Sequence, residues 1–122
     1  MSEAESGAGR GDAVVVPFSS QRPPDRVAFS KDELQRILAV YGRKVAQGEW
    51  RDYAMEFGRH SAVFSVFRRT SEVPLYRIEK TPALAARQGA YAVVAASGQV
   101  LKRGADLARV LMVLEKPSRV IG

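Results

Sequence analysis

Asp52, Glu56 and His60 are the residues of this sequence whose types and spacing come closest to a catalytic arrangement. A pair of carboxylates can share general-acid and general-base work, and a histidine can relay a proton or bind a metal. On a strand, Asp52 and Glu56 share a face with their backbones about 13 Å apart, beyond the roughly 5–9.5 Å of paired glycosidase carboxylates. His60 is the only histidine, and we interpret it as a solvated turn residue. We therefore predict no catalytic residue, no metal site and no enzymatic activity.

Two glycine-containing segments are candidates for holding a phosphate. Residues 6–11 are glycine-rich, but no strand precedes them and the lysine of a P-loop is missing. Residues 103–106 precede the last predicted helix, whose free N–H groups could receive an anion beside Lys102 and Arg103. Because Asp106 competes for the same N–H groups, we interpret this segment as a structural helix start and predict no cofactor.

Basic residues are the strongest functional signal. The 122 residues include 19 Lys and Arg against 13 Asp and Glu, a formal charge of +6. Residues 1–25 hold two cations and four acids, so the rest of the chain carries +8. The candidate binding residues are cations at strand ends or on strand faces: Arg68, Arg69, Arg77, Lys102 and Arg103. If folding gathers them on one surface, they would bind an acidic partner or several phosphates.

Composition limits the remaining classes. The chain has no cysteine, which excludes disulfides, thiolate chemistry and cysteine-bound metals. The hydrophobic share of 46% suffices for one small core at this length. We expect a disordered tail over residues 1–25 and a single domain over residues 26–122. The acidic N-terminus and a longest apolar run of seven residues, 90–96, predict a cytoplasmic protein without membrane contact.

Within the predicted tail, residues 13–18 form a short β-prone patch. This segment contains three consecutive valines followed by Pro17 and Phe18. It could add to a sheet edge or dock on a partner, although Pro17 limits its pairing.

A capping box predicts the first helix, over about residues 31–47. Ser30 and Glu33 have the spacing at which each satisfies a free backbone N–H of the first turn. An apolar stripe at helical spacing follows, and Gly48 can end the helix in the left-handed conformation.

Two further helices are predicted in the second half of the chain. A short one follows Thr81 and runs through Gln88, with Gly89 as its end. The last helix has Asp106 in its first turn and is stopped by Pro117.

Alternating apolar residues, a run at 62–67 that is apolar on both faces and rich in β-forming residues, and turn signals predict the strands. They lie at about residues 52–57, 62–67, 75–80, 91–96 and 99–102. Ser97 and Gly98 form a tight-hairpin signal between the last two. The expected architecture is an α+β fold, in which an antiparallel sheet of about five strands, a three-stranded meander plus a hairpin, packs against two main helices on one face.

Four strings occur in one order along the chain. They are GEWRDY at residues 48–53, AVFSVFRR at 62–69, EVPLYRIEK at 72–80 and LKRGADLARVL at 101–111. Over about residues 27–116 the sequence resembles an uncharacterised bacterial family known as domain of unknown function 2794. The resemblance implies a bacterial cytoplasmic protein and carries over no catalytic or binding residue.

Two functional hypotheses remain open. The first is a protein–protein adaptor or regulatory module that uses the Arg-rich surface, with an edge strand available for homodimerisation. The second is a nucleic-acid-binding protein that uses the same basic patch, with Trp50, Tyr53 or Tyr91 stacking on bases if they are exposed. Ion pairs of Glu72 or Glu79 with neighbouring arginines would instead leave an ordinary salt-bridged surface.

Overall fold

A five-stranded antiparallel sheet and two helices make up the computed structural model, which describes residues 25–69 and 73–115. The elements in chain order are α1 (Lys31–Ala46), β1 (Asp52–Phe57), β2 (Ala62–Phe67), β3 (Tyr76–Lys80), β4 (Tyr91–Ala95), β5 (Val100–Gly104) and α2 (Leu107–Glu115). The strand order is β1-β2-β3-β4-β5, with each neighbouring pair antiparallel. The predicted α+β fold is confirmed. The predicted disordered tail lies outside the described residues, except for Asp25.

Helix α1 begins at the predicted capping box. Ser30 Oγ accepts a hydrogen bond from the Glu33 N–H at 3.1 Å, and Glu33 Oε1 accepts one from the Ser30 N–H at 2.7 Å. After the helix ends at Ala46, Gly48 adopts a φ of 78°, a conformation that glycine enters without steric cost.

Both helices pack on the same face of the sheet. The buried core joins apolar residues of α1 and α2 to Phe64 of β2, Ile78 of β3 and Val93 of β4. Because side chains alternate along a strand, the residues next to Phe64, Ile78 and Val93 in their strands point to the opposite side of the sheet. We call the two sides the helix-side face and the helix-free face. No helix within the described residues is long and apolar enough to cross a bilayer.

The predicted short helix after Thr81 begins where expected but ends well before Gln88. The chain forms one 3₁₀ turn, Pro82–Leu84, and the Thr81 side chain makes no capping hydrogen bond. The Leu84 carbonyl then accepts bonds from the N–H groups of residues 87, 88 and 89, which closes the segment before an α-helix can propagate. Gly89, the predicted end, has a φ of 100°.

The start of α2 also differs from its prediction. Residues 103 and 104 belong to β5, so the helix start is confined to Ala105 and Asp106. Asp106 precedes the first turn, where its Oδ1 accepts a hydrogen bond from the Ala108 N–H at 3.0 Å, as an N-cap does. Pro117, the predicted stop, lies outside the described residues.

Candidate functional site

The fold places the two carboxylates considered for catalysis along one strand and the histidine in the turn that follows it. Asp52 and Glu56 occupy the same face of β1, four residues apart, which corresponds to about 13 Å along a strand. His60 is exposed in the turn between β1 and β2. Among the described residues, no three His, Asp or Glu side chains are placed to hold a metal ion together.

Arg77 and Arg103 lie together on the helix-free face. Arg77 is opposite Val94 of β4 and Arg103 is opposite Ala92 of the same strand, so β4 runs between them. Arg77 Nε donates to Glu79 Oε2 at 3.1 Å. Arg103 Nη1 donates to the Gly89 carbonyl at 3.4 Å. Folding thus brings these two predicted site residues to one surface.

The other three predicted site residues are placed differently. Arg68 and Arg69 follow the end of β2 and are exposed. Arg68 lies three residues past Ser65, the cross-strand partner of Arg77, or about 10 Å along the strand. Lys102 is opposite Val93, a core residue, and therefore lies on the helix-side face of the edge strand β5. Binding by these residues stays a prediction.

The helix-free face mixes apolar and charged side chains. On β2, Val63 and Phe67 are half-buried. Toward β4, Ala92 and Val94 are buried although they lie outside the core that contacts the helices. The charged members of the face include three acids as well as the two arginines: Asp52, Glu56, Glu79, Arg77 and Arg103. Arg77 and Glu79 of β3, which pair with each other, therefore separate the apolar side chains of β2 from those of β4 on this face.

One titratable cluster on the helix-side face was missed by sequence reasoning. Lys80 Nζ, at the end of β3, donates to Glu33 Oε1 at 2.8 Å and to the Ala28 carbonyl at 2.8 Å. The Tyr91 hydroxyl, at the start of β4, hydrogen-bonds to Glu33 Oε2. The capping box identified Glu33, but its other two partners are 47 and 58 residues away in sequence.

The cluster perturbs the titration of its members. Burial favours the neutral form of Glu33, but hydrogen bonds from Lys80, Tyr91 and the Ser30 N–H outweigh it and lower the pKa of this carboxyl. Burial and the bond to Glu33 raise the pKa of Tyr91 to about 12. Only 13% of the Glu33 side chain and 18% of the Lys80 side chain are exposed. This arrangement stabilises the charged carboxylate and ties α1 to β3 and β4.

A polar cleft of about 480 Å³ lies beside this cluster. It is lined by residues from the starts of α1 and α2 and from β4: Ser30, Asp32, Glu33, Arg36, Tyr91, Ala105, Asp106, Leu107 and Ala108. The side chains facing it include three acids, and each is engaged in a contact of the fold: Asp32 with Arg36, Glu33 as above, and Asp106 with α2. We assign the cleft no ligand.

The three aromatic residues proposed for base stacking are not free for that role. Trp50 is 4% exposed. Tyr53 is 41% exposed but stacks on Phe64 with ring centroids 4.8 Å apart. Tyr91 is half-buried against Glu33.

The comparisons with known proteins identify a family and no activity. The family model described as a protein of unknown function (DUF2794) matches residues 27–111. The chain belongs to this family, as its sequence strings indicated. Comparison with curated proteins and with solved structures gave no match.

Proposed function

We propose that this DUF2794 protein is a non-enzymatic binding module that holds an acidic protein segment on the helix-free face of its sheet. The observation that supports this best is the one-sided packing of the fold. Both helices cover the helix-side face, while the opposite face presents half-buried Val63 and Phe67 of β2 next to Arg77 of β3, with Arg103 on β5 at the far side of the face. An antiparallel sheet commonly leaves one face open to solvent, and the half-buried apolar side chains on this face offer contact area to a partner.

The composition of the face favours a protein partner. Interfaces combine an apolar centre with arginines that form bidentate bonds to carboxylates. The apolar centre here is formed by Val63 and Phe67 of β2, which we call the strip. Arg68 and Arg69 follow β2 at the Phe67 end of the strip, and the chain as a whole carries a formal charge of +6. An acidic segment with an apolar side chain directed at the strip complements this surface.

Nucleic acid is the weaker alternative for the same face. Asp52, Glu56 and Glu79 lie on it, and Glu79 already pairs with Arg77. These acids reduce the field for phosphates and carboxylates alike, so the aromatic residues distinguish the two kinds of partner. Stacking on exposed aromatic rings, which single-stranded binding uses, is also poorly served, because Trp50 is buried.

Matched charge-reversal variants test the proposal. The face variant carries Arg68→Glu, Arg77→Glu and Arg103→Glu. The helix-side variant carries Arg36→Glu, Lys102→Glu and Arg109→Glu, so its change of charge is the same. Each protein is immobilised and exposed to nuclease-treated lysate of the native cell, and the retained proteins are quantified by mass spectrometry. Circular dichroism and thermal unfolding check that both variants are folded.

The proposal predicts one acidic protein that wild type and the helix-side variant retain equally and the face variant loses at least tenfold. Purified partner should then reconstitute a saturable complex. Equal retention by a folded face variant would overturn the assignment of the face. Nuclease-sensitive retention, together with binding of generic RNA that falls steeply with salt, would overturn the protein partner in favour of nucleic acid.

A further inference from the structure

A groove with an apolar lining lies between α1 and α2. Its volume is about 200 Å³, below the roughly 300–1,000 Å³ of small-molecule pockets. The apolar residues that line it are Ala39, Val40, Ala108, Leu111 and Met112, and Met112 is 57% exposed. The groove therefore suits a single side chain of another molecule better than a small ligand.

The two helices run in the same direction along this groove. Arg43 Nε donates to Glu115 Oε1 at 3.3 Å, which joins the last turns of the two helices. Arg36, about two turns earlier in α1, lines the polar cleft together with Ala108 from the first turn of α2. Arg36 is therefore level with the start of α2, and Arg43 is level with its end.

The exposed residues of α2 carry opposite charges on either side of Met112. Arg109 and Glu115 are both exposed, and each lies three residues from Met112, or about 4.5 Å along the helix axis. Reversing the direction of the helix exchanges the positive and the negative end. Two copies of α2 that lie antiparallel with their Met112 residues opposite each other therefore bring Arg109 of each copy level with Glu115 of the other. A symmetric dimer contact requires this kind of self-complementarity.

The charges around the groove allow two copies to approach each other. Three arginines pair with three acids: Arg36 with Asp32, Arg43 with Glu115 and Arg109 with Asp106. These six charges sum to zero, although the chain as a whole carries +6. In the pairs of Arg36 and Arg109 both side chains are more than half exposed, and such pairs contribute little to stability. Both arginines can therefore bond a carboxylate of a second copy.

We propose that this surface joins two copies of the chain in a symmetric dimer. α2 of each copy lies antiparallel to α2 of the other, and Met112 of each copy enters the groove of the other. Glu115 of each copy is then level with Arg36 and Arg109 of the other. Methionine fits irregular gaps, and methionine and arginine are enriched at interfaces. Because α2 has only nine residues, the contact is small, and the dimer population depends on protein concentration.

Two exposed apolar residues provide matched variants of the full chain. Met112→Glu places a charge at the centre of the contact, whereas Val73→Glu places the same charge at a residue that is 74% exposed and precedes β3. Sedimentation equilibrium over a wide range of concentration measures the dissociation constant of the dimer, and circular dichroism checks the fold. Met112→Glu should weaken the dimer at least tenfold, and Val73→Glu should leave it within about twofold of wild type.

A pair of charge reversals tests the antiparallel arrangement. Arg109→Glu sets two acids against each other at both ends of its own dimer, and Glu115→Arg sets two arginines against each other, so each variant alone should dimerise more weakly than wild type. A mixture of the two variants restores opposite charges at both ends. The mixture should therefore form a heterodimer more tightly than either variant forms a homodimer.

A wild-type chain that stays monomeric at every concentration would overturn the proposal. A dimer that Met112→Glu leaves unchanged would also overturn it, as would a mixture that associates no more tightly than the single variants. These results are independent of the partner proposed for the helix-free face, because the dimer contact lies on the helices. Variants that are monomeric should keep that partner, and Met112 is covered in the dimer whether or not the partner is bound.

Discussion

Phe64 and Phe67 are three residues apart on β2, yet they lie on opposite sides of the sheet. Phe64 is fully buried beneath the helices, whereas Phe67 is half-buried on the helix-free face. The charged residues follow the same division. Glu33, Lys80 and Tyr91 satisfy one another on the helix-side face, while Arg103 on the helix-free face donates to the carbonyl of Gly89 in a loop. The helix-side face therefore accounts for most of the stability, and the binding that we propose is assigned to the helix-free face.

Truncating the two phenylalanines tests this division with the largest expected effect. Phe64→Ala should lower the free energy of unfolding by about 3–5 kcal/mol, because it leaves a cavity among core residues. Phe67→Ala should cost only about 1 kcal/mol or less. Urea unfolding of both variants measures the difference, and similar losses would show that the helix-free face is packed as a core.

Substitutions of Glu33, which bonds Lys80 and Tyr91 in what we call the Glu33 cluster, should have a smaller effect on stability. They separate the contribution of its charge from that of its hydrogen bonds. Glu33→Ala removes the capping partner of Ser30 and leaves Lys80 half-buried without its carboxylate, at an expected cost of about 2–3 kcal/mol. Glu33→Gln keeps an acceptor and the capping geometry and should lose less than half as much. If the two variants unfold at the same urea concentration, the negative charge and not the cap stabilises the cluster.

The same cluster predicts how stability depends on pH. The folded pKa of Glu33 lies below its ordinary value of 4.5, so its contribution is present above that pH and is lost as the pH falls through the folded pKa. The folded pKa of Tyr91 is raised from 10.0 to about 12, so its contribution is present below pH 10 and is lost as the pH rises toward 12. Unfolding followed across pH in Tyr91→Phe should show a shallower alkaline loss than wild type.

The smallest stability effect is expected on the helix-free face. Arg77→Gln removes an ion pair whose members have side-chain exposures of 34% and 24%, and pairs near the surface contribute about 0–1 kcal/mol. Thermal unfolding should therefore change by no more than a few degrees. A loss of stability as large as that expected for Glu33→Ala would show that Arg77 contributes to the stability of the fold. It would contradict the division between the two faces.

Sequence patterns predicted the elements well and the long-range contacts poorly. The alternation in β1 and the Ser30–Glu33 spacing are local signals, and both elements are confirmed. Lys102 and Arg103 are adjacent on a strand, so the alternation of side chains alone places them on opposite faces. The Glu33 cluster could not be predicted, because Lys80 and Tyr91 meet Glu33 only once β3 and β4 pair beneath α1. The 3₁₀ turn at residues 82–84 was missed because Pro and Gly signals do not distinguish a turn from a short helix.

Oxidative footprinting of the captured complex tests the central claim most directly. The chain is labelled by hydroxyl radicals free and after capture of its partner from nuclease-treated lysate, and oxidation is read residue by residue. Binding on the helix-free face predicts that Phe67 becomes protected while Met112, which is 57% exposed on α2, keeps its rate. Protection of Met112 with no change at Phe67 would contradict the account and place the partner on the helices.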